Sequence, residues 1–266
     1  MNSETMMTHW NDGAALIAEQ LGPPSRVLIG LDFDGTLAPI VPRPGDAALP
    51  LPAKEVLRRL AALPGVALAF ASGRALADIT RRLPFEDAFF IGNHGLEIRG
   101  PGLAPVLHEA SPQRHLVQAM IARIKPRLGH VPGLLMEDKG ATLSLHVRQV
   151  PPEALPGVEA VIRQVIVENP AFKLQHGHKV LEIVPADGPT KGSALRRILA
   201  FLDIAPDAAL YAGDDTTDET AFEALPEGVT IKVGSEGHSA ARWAATDPAD
   251  VRTLLEWVHQ CRRFLH

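Results

Sequence analysis

The sequence predicts an α/β protein: a parallel sheet covered by helices, interrupted by an inserted α+β unit. Three observations predict it. Apolar runs of strand length alternate with helical stretches from residue 27 to about residue 100. Near residue 111 the rhythm changes to helix, two strands, helix, two strands, and after Pro185 the first rhythm returns. Hydrophobic residues make up 46% of the chain and charged residues 21%, ordinary for a folded globular enzyme. A length of 266 residues suits one large domain or two smaller ones. The expected division is an N-terminal extension over 1–25, a core over 26–110 and 186–266, and the insertion over 111–185.

Residues 12–20 read as a short helix closed by Gly22-Pro23-Pro24. The run Val27, Leu28, Ile29 and Leu31 reads as a strand, and the loop after it, "APIVPRPGDAALPLP", carries five prolines between residues 38 and 52. A helix over 53–63, a strand over 66–71 and a helix opening at "SGRALADITRRL" continue the βα rhythm, and "AFFIGNHGLEIRG" reads as a strand and hairpin. In the insertion, "SPQRHLVQAMIARIKPRLG" is helical, with Pro126 expected to kink or end it. "GLLMED" and "ATLSLHVRQV" are strand-like, "PEALPGVEAVIRQVIVEN" is helical, and "AFKLQH" with "KVLEIVP" forms a second strand pair. That order suits a small antiparallel sheet with helices on one face. Beyond it come a helix over 190–202, a strand over 208–213, a helix over 217–224, a strand over 229–233 and terminal helices from 239. The chain is expected to cross between core and insertion near 108–112 and 184–188.

The net charge is −5, so nothing in it suggests a basic surface built for nucleic acid. One cysteine, Cys261, excludes an internal disulfide and fits a reducing compartment. No stretch approaches the roughly 20 apolar residues of a membrane span, and the N-terminus lacks the basic and apolar regions of a signal peptide. A soluble, cytoplasmic, monomeric protein acting on a small molecule is expected.

In open parallel sheets, ligands bind beyond the carboxyl ends of the strands. Four features fall on that edge: "DFDGT" (32–36), "SGR" (72–74), "TKG" (190–192) and "GDDTTDE" (213–219). Singly, each has a bland account, with Ser72 a helix N-cap, Lys191 a solvated lysine and Asp214, Asp215 and Asp218 acids welcome at a helix start. Together they place Asp32, Asp34 and the Asp214 cluster at neighbouring strand ends. Carboxylates so crowded repel one another unless a hard cation neutralises them, and oxygen-only ligands suit Mg²⁺. Ser72, Thr36, Lys191 and helix-start N–H groups are the donors that a phosphoryl group needs. Asp32 sits where a carboxylate can attack phosphorus, and Asp34, two residues on, where it can handle protons.

These four motifs, in this order, resemble those of the haloacid dehalogenase superfamily of phosphatases. The resemblance implies a Rossmann-like core with an inserted cap that selects substrates. It implies that Asp32 forms an aspartyl-phosphate, that Asp34 protonates the leaving oxygen and then activates water, and that Ser72 and Lys191 hold the phosphoryl group. Asp32, the Asp34 backbone carbonyl and Asp214 then ligate Mg²⁺, with Asp215 or Asp218 assisting or orienting Lys191. "GNHGLEIR" (92–99), "MEDKGATLSLHVR" (136–148), "HGHKVLEIVP" (176–185) and "GDDTTDETAF" (213–222) are similar to the trehalose-6-phosphate phosphatases. That similarity implies a phosphorylated disaccharide as substrate. Glu137, Lys139, Glu182 and either His178 or Lys179 contact the sugar, and Asn93, His94 and Gly95 line the core side, with Thr36, Gly73 and Arg74. Without the similarity, Glu137, Lys139 and Glu182 read as the solvent face of a half-buried sheet. Sucrose phosphate or mannosyl-phosphoglycerate as substrate, or a regulator that binds a phosphosugar without turnover, stay open. A dinucleotide-binding site does not, because no G-x-G-x-x-G follows a predicted strand.

Overall fold

The computed structural model describes residues 7–22, 25–106, 113–177, 179–234 and 238–263. The chain divides into two compact units, Met1–Pro105 with Thr190–His266, and Val106–Pro189. The first unit contains α1 (Ala14–Leu21), β1 (Val27–Asp32), α2 (Leu51–Ala61), β2 (Val66–Ala71), α3 (Leu76–Arg82), β3 (Phe89–Gly92), β4 (Glu97–Gly100) and β5 (Leu103–Val106). The second contains α4 (Gln113–Leu128), β6 (Leu135–Asp138), β7 (Leu143–His146), α5 (Leu155–Val167), β8 (Phe172–Gly177) and β9 (Val180–Pro185). The first then resumes with α6 (Lys191–Leu202), β10 (Ala209–Gly213), α7 (Glu219–Ala224), β11 (Val229–Val233), β12 (Trp243–Ala245) and α8 (Pro248–Arg263).

Eight strands form the first sheet in the order β12-β11-β10-β1-β2-β3-β4-β5. Pairing is parallel from β12 to β3 and antiparallel between β3 and β4. Strand β1 is buried along its whole length, as its unbroken apolar run requires for a strand covered on both faces. Ile29 and Leu31 join the core shared with Val56, Leu57 and Leu60 of α2 and Val251, Leu254 and Leu255 of α8. The intervening Gly30 lies beside Leu195 of α6, on the other face. Because β1 lies between β2 and β10, the chain leaves it toward one side and fills the other later, which opens a crevice at its carboxyl end.

The C-terminal region departs from the expected run of helices after residue 239. Trp243–Ala245 instead forms β12, parallel to β11, before α8 begins. Three residues are too few for periodicity to reveal. The N-terminal extension is stitched to this edge. Ala244 N donates to Thr8 O and Trp10 N to Ala244 O, both at 2.9 Å, and Trp10 Nε1 donates to Asp250 Oδ1 at 2.9 Å.

The second unit is a four-stranded antiparallel sheet in the order β6-β7-β9-β8. Leu143, Leu145 and Ile183 pack with Val117, Met120 and Ile124 of α4 and Val158, Ile162 and Val165 of α5. Helix α4 runs two residues past Pro126, so the proline does not end it. Its missing N–H falls in the last turn, where one lost helical bond matters little. Pro23, Pro24, the first expected crossing at 108–112 and His178 lie outside the described residues.

Candidate active site

Strand β1 delivers Asp32 to the carboxyl edge of the sheet, and a tight turn follows. Leu37 N and Ala38 N both donate to Phe33 O, and Gly35 N donates to Ala38 O at 2.8 Å. Phe33 is fully buried, so it anchors the turn between the two carboxylates. Asp32 is buried with 4% exposure, whereas the Asp34 side chain is 38% exposed.

Lys191 opens α6 and is buried, as a surface lysine is not. Its Nζ donates to Asp32 Oδ1 at 2.8 Å and to Asp218 Oδ1 at 2.7 Å. Burial opposes its charge, yet the Asp218 and Asp32 carboxylates hold the ammonium well above the ordinary lysine value. Asp218 is satisfied on both oxygens: Oδ1 also accepts from Tyr211 Oη at 2.6 Å, and Oδ2 from Asp215 N at 3.0 Å. Asp215 itself caps the following turn, its Oδ1 accepting from Thr216 N at 2.7 Å.

Asp32, Asp214 and Asp218 each offer a carboxylate oxygen, the three lying within 4.8 Å of one another. Asp215 and the Asp34 side chain are not in that group. Burial pushes the Asp214 carboxyl up to about 7, with the Asp218 charge adding to it. Burial likewise raises Asp32, and Lys191 only partly offsets this. The donor set is all oxygen and carries a repulsion that a hard divalent cation relieves, so the residues fit such an ion. Asp218 already serves Lys191 and Tyr211, which leaves Asp32 and Asp214 as the side chains best placed to hold it.

Gly35 belongs to this cradle. Its φ is +89°, and a Cβ there would lie 2.1 Å from Asp214 Oδ2. Gly35→Ala is expected to displace Asp214 and weaken divalent-cation affinity by about 10–100-fold, measured by calorimetric titration. Unchanged affinity would remove Asp214 from the ligand set.

Ser72 is buried, accepting from Arg74 N at 3.1 Å. The 72–74 loop is knitted to the turn after β3, since Asn93 N donates to Arg74 O at 2.8 Å and His94 N to Ser72 O at 3.2 Å. Asn93, His94 and Gly95 have φ of 45°, 60° and 117°, three successive left-handed residues. A Cβ on Gly73 would lie 2.4 Å from the His94 ring. Thr36 is buried and donates to Asp214 Oδ1 at 3.3 Å. Arg74, expected to face substrate, grips Asp34 with two bonds of 2.6 and 2.7 Å and gives its remaining bonds to Asp78 and Pro44 O.

Two polar groups in contact with the site's carboxylate residues escaped the sequence reading. Tyr211 passes for one more apolar strand residue. Lys232, in "VTIKV", carried a visible signal, because a charge inside a buried strand needs a partner. Its Nζ donates to Asp214 O at 2.5 Å.

In the second unit, Glu137, Ser144, Glu182 and Gln175 stand in one register row across the four strands, on the face opposite the helices. Glu182 Oε1 accepts from Ser144 Oγ at 2.7 Å and from Lys139 Nζ at 3.1 Å, and this pair is buried, not solvent-facing. Glu137 pairs with His146 Nε2 at 2.8 Å. Lys179 is in a left-handed turn, φ 61°, and is exposed.

The trehalose-phosphatase family model matches residues 30–249 of the chain. A trehalose 6-phosphate phosphatase of Zea mays is 31% identical over 253 residues, covering 86% of this chain and 69% of the relative. A trehalose-phosphate phosphatase of Mycobacterium marinum is 34% identical over 236 residues, covering 85% of this chain and 60% of the relative. The C-terminal domain of C. albicans trehalose-6-phosphate phosphatase shares the fold, with a TM-score of 0.86 over 97% of this chain and 99% of that one at 21% identity.

Proposed function

The chain belongs to the trehalose-phosphatase family, and from that premise we propose that it hydrolyses trehalose 6-phosphate to trehalose and phosphate through an aspartyl-phosphate on Asp32. One observation carries the mechanism: the buried Lys191 ammonium bridges Asp32 and Asp218 beside a third carboxylate, Asp214. An oxygen of Asp32 attacks phosphorus as the bond from phosphorus to the sugar oxygen breaks, and Asp34 delivers a proton to that leaving oxygen. Asp34 then takes a proton from the water that attacks the acyl phosphate, releasing phosphate and freeing Asp32. Arg74 bonds both Asp34 carboxylate oxygens, which supports a fixed position for that side chain in both steps. Lys191, with two of its three protons on carboxylates, keeps one for a phosphoryl oxygen, and Ser72 and Thr36 supply hydroxyls.

The family implies a divalent metal, which we take to be Mg²⁺, held by Asp32, Asp214 and the Asp34 backbone carbonyl. When bound it supplies positive charge against the phosphoryl oxygens and the carboxylates.

The second unit serves as the cap that selects the sugar. Its polar row supports this, since carboxylate, amide and hydroxyl groups on one face match hydroxyls that both donate and accept. There Lys139 orients Glu182, and Glu137 and Lys179 are the more exposed contacts. No helix among the described residues is long and apolar enough to cross a membrane. We place the protein in the cytoplasm as a monomer whose partner is a phosphorylated disaccharide and not a nucleic acid.

The test is phosphate release with Mg²⁺ from trehalose 6-phosphate beside glucose 6-phosphate, sucrose 6-phosphate and mannosyl-phosphoglycerate, with an EDTA-treated sample. Strong preference for trehalose 6-phosphate, lost in EDTA, is expected. Preference for another sugar phosphate would keep the mechanism and change the substrate.

A further inference from the structure

The chain contains a single tyrosine, and it is fully buried beneath the site. Tyr211 lies on β10 with its ring edge-on to Phe222, centroids 5.8 Å apart. A phenylalanine would serve that packing as well, so the hydroxyl needs its own account. Its partner on β1 is Gly30, where a Cβ would come within 2.8 Å of the Tyr211 ring. Glycine inside a central strand weakens it unless something must pass close by. Here the omission of a side chain lets the ring rise along β10 and bring its hydroxyl to Asp218 Oδ1, at 2.6 Å.

That oxygen is the one that also accepts from Lys191 Nζ at 2.7 Å. Two donors on one oxygen, with Asp215 N on the other, leave the Asp218 carboxylate no freedom to turn. Without the hydroxyl, Asp218 Oδ1 keeps only one of its two donors, and Lys191, bonded to that same oxygen, shifts with it or settles closer to Asp32. Either movement shifts the ammonium relative to the nucleophile, and small displacements of a positioned charge are costly to catalysis.

Resting on the phosphatase reading above, we propose that Tyr211 is a positioning residue for phosphoryl transfer: its hydroxyl locks Asp218, and Asp218 in turn aims Lys191 at Asp32. It touches neither substrate nor reacting atoms. Its effect belongs in kcat rather than KM, and it vanishes where Asp218 no longer carries a carboxylate.

Tyr211→Phe keeps the ring and is expected to lower kcat by about 10–100-fold, the worth of one hydrogen bond to a buried charge, with KM within about twofold. In Asp218→Asn the added Tyr211→Phe change is expected to cost little more, because both act on one chain of bonds. A kcat unchanged in Tyr211→Phe, a loss confined to KM, or full additivity with Asp218→Asn would overturn the proposal. If wild-type protein itself releases no phosphate, the phosphatase reading has failed instead.

A second measurement does not depend on the phenylalanine variant folding. Growth on 3-fluorotyrosine labels Tyr211 and nothing else, so the protein gives one ¹⁹F resonance. Its shift is expected to move in Lys191→Arg, whose donor shares Asp218 Oδ1 with the Tyr211 hydroxyl. A resonance indifferent to that change would deny the linkage.

Discussion

Asp32→Asn is expected to abolish phosphate release, by about four orders of magnitude or more, and yet to raise the melting temperature of the metal-free protein. The loss follows from the proposed role, since an amide nitrogen or oxygen does not form the acyl phosphate. The gain follows from burial. Folding raises the Asp32 carboxyl well above its ordinary value, chiefly by desolvation, with Asp218 and Asp214 adding repulsion. A carboxyl raised in this way gives up stability as pH climbs through its folded value, and at neutral pH it is a burden on the fold. Asparagine escapes that burden while its side-chain oxygen still accepts from Lys191. The increase should be a few degrees, the scale on which about 1 kcal/mol moves a chain of this size. Phosphate release and calorimetry on the same EDTA-treated preparations check both parts. Turnover above about 1% of wild type would remove Asp32 as nucleophile, and a lower melting temperature would contradict the strain.

Lys191→Met should also be inactive but should move stability the other way. It leaves Asp32 and Asp218 buried without their shared cation. Removing one partner of a buried ion pair costs about 3–5 kcal/mol, which corresponds to a fall of roughly 6–20 °C. Added Mg²⁺ should recover part of that fall by neutralising the carboxylates the lysine deserted. A melting temperature equal to wild type would mean that Lys191 is less committed to the pair than its position implies. Two inactive variants with stability shifts of opposite sign separate loss of function from loss of fold.

The fold class was legible because each buried strand of the core is a short apolar run and each functional motif interrupts one at its carboxyl end. Two carboxylates separated by one residue, directly after "VLIGL", have no structural excuse, and that anomaly points to the site. Elements set by tertiary pairing were not legible. β12 is three residues long, and residues 8–10, which pair with it, are also held by α8, whose Asp250 bonds Trp10 and His9. At the site, sequence could not decide between Asp215 and Asp218, since both suit a helix start, and only the fold turns Asp218 toward Lys191. Arg74 read as a substrate ligand from its neighbours in sequence, while its nearest partners, Asp34 and Pro44, lie in a distant loop. Tyr211 reads like any strand aromatic, and only the fold sets Gly30 across from it.

The position of β1 in the middle of its sheet also has a consequence for synthesis. One flank of β1 pairs with β2 soon after it emerges from the ribosome, but the other waits for β10, which follows the whole second unit. At about 5–20 residues per second that wait is on the order of ten seconds or more. Throughout it the nascent chain displays a bare hydrophobic strand edge, the kind of surface through which unfinished chains join one another. Nascent chains arrested before residue 209 should therefore depend on a chaperone to stay apart, and those released after β10 should not.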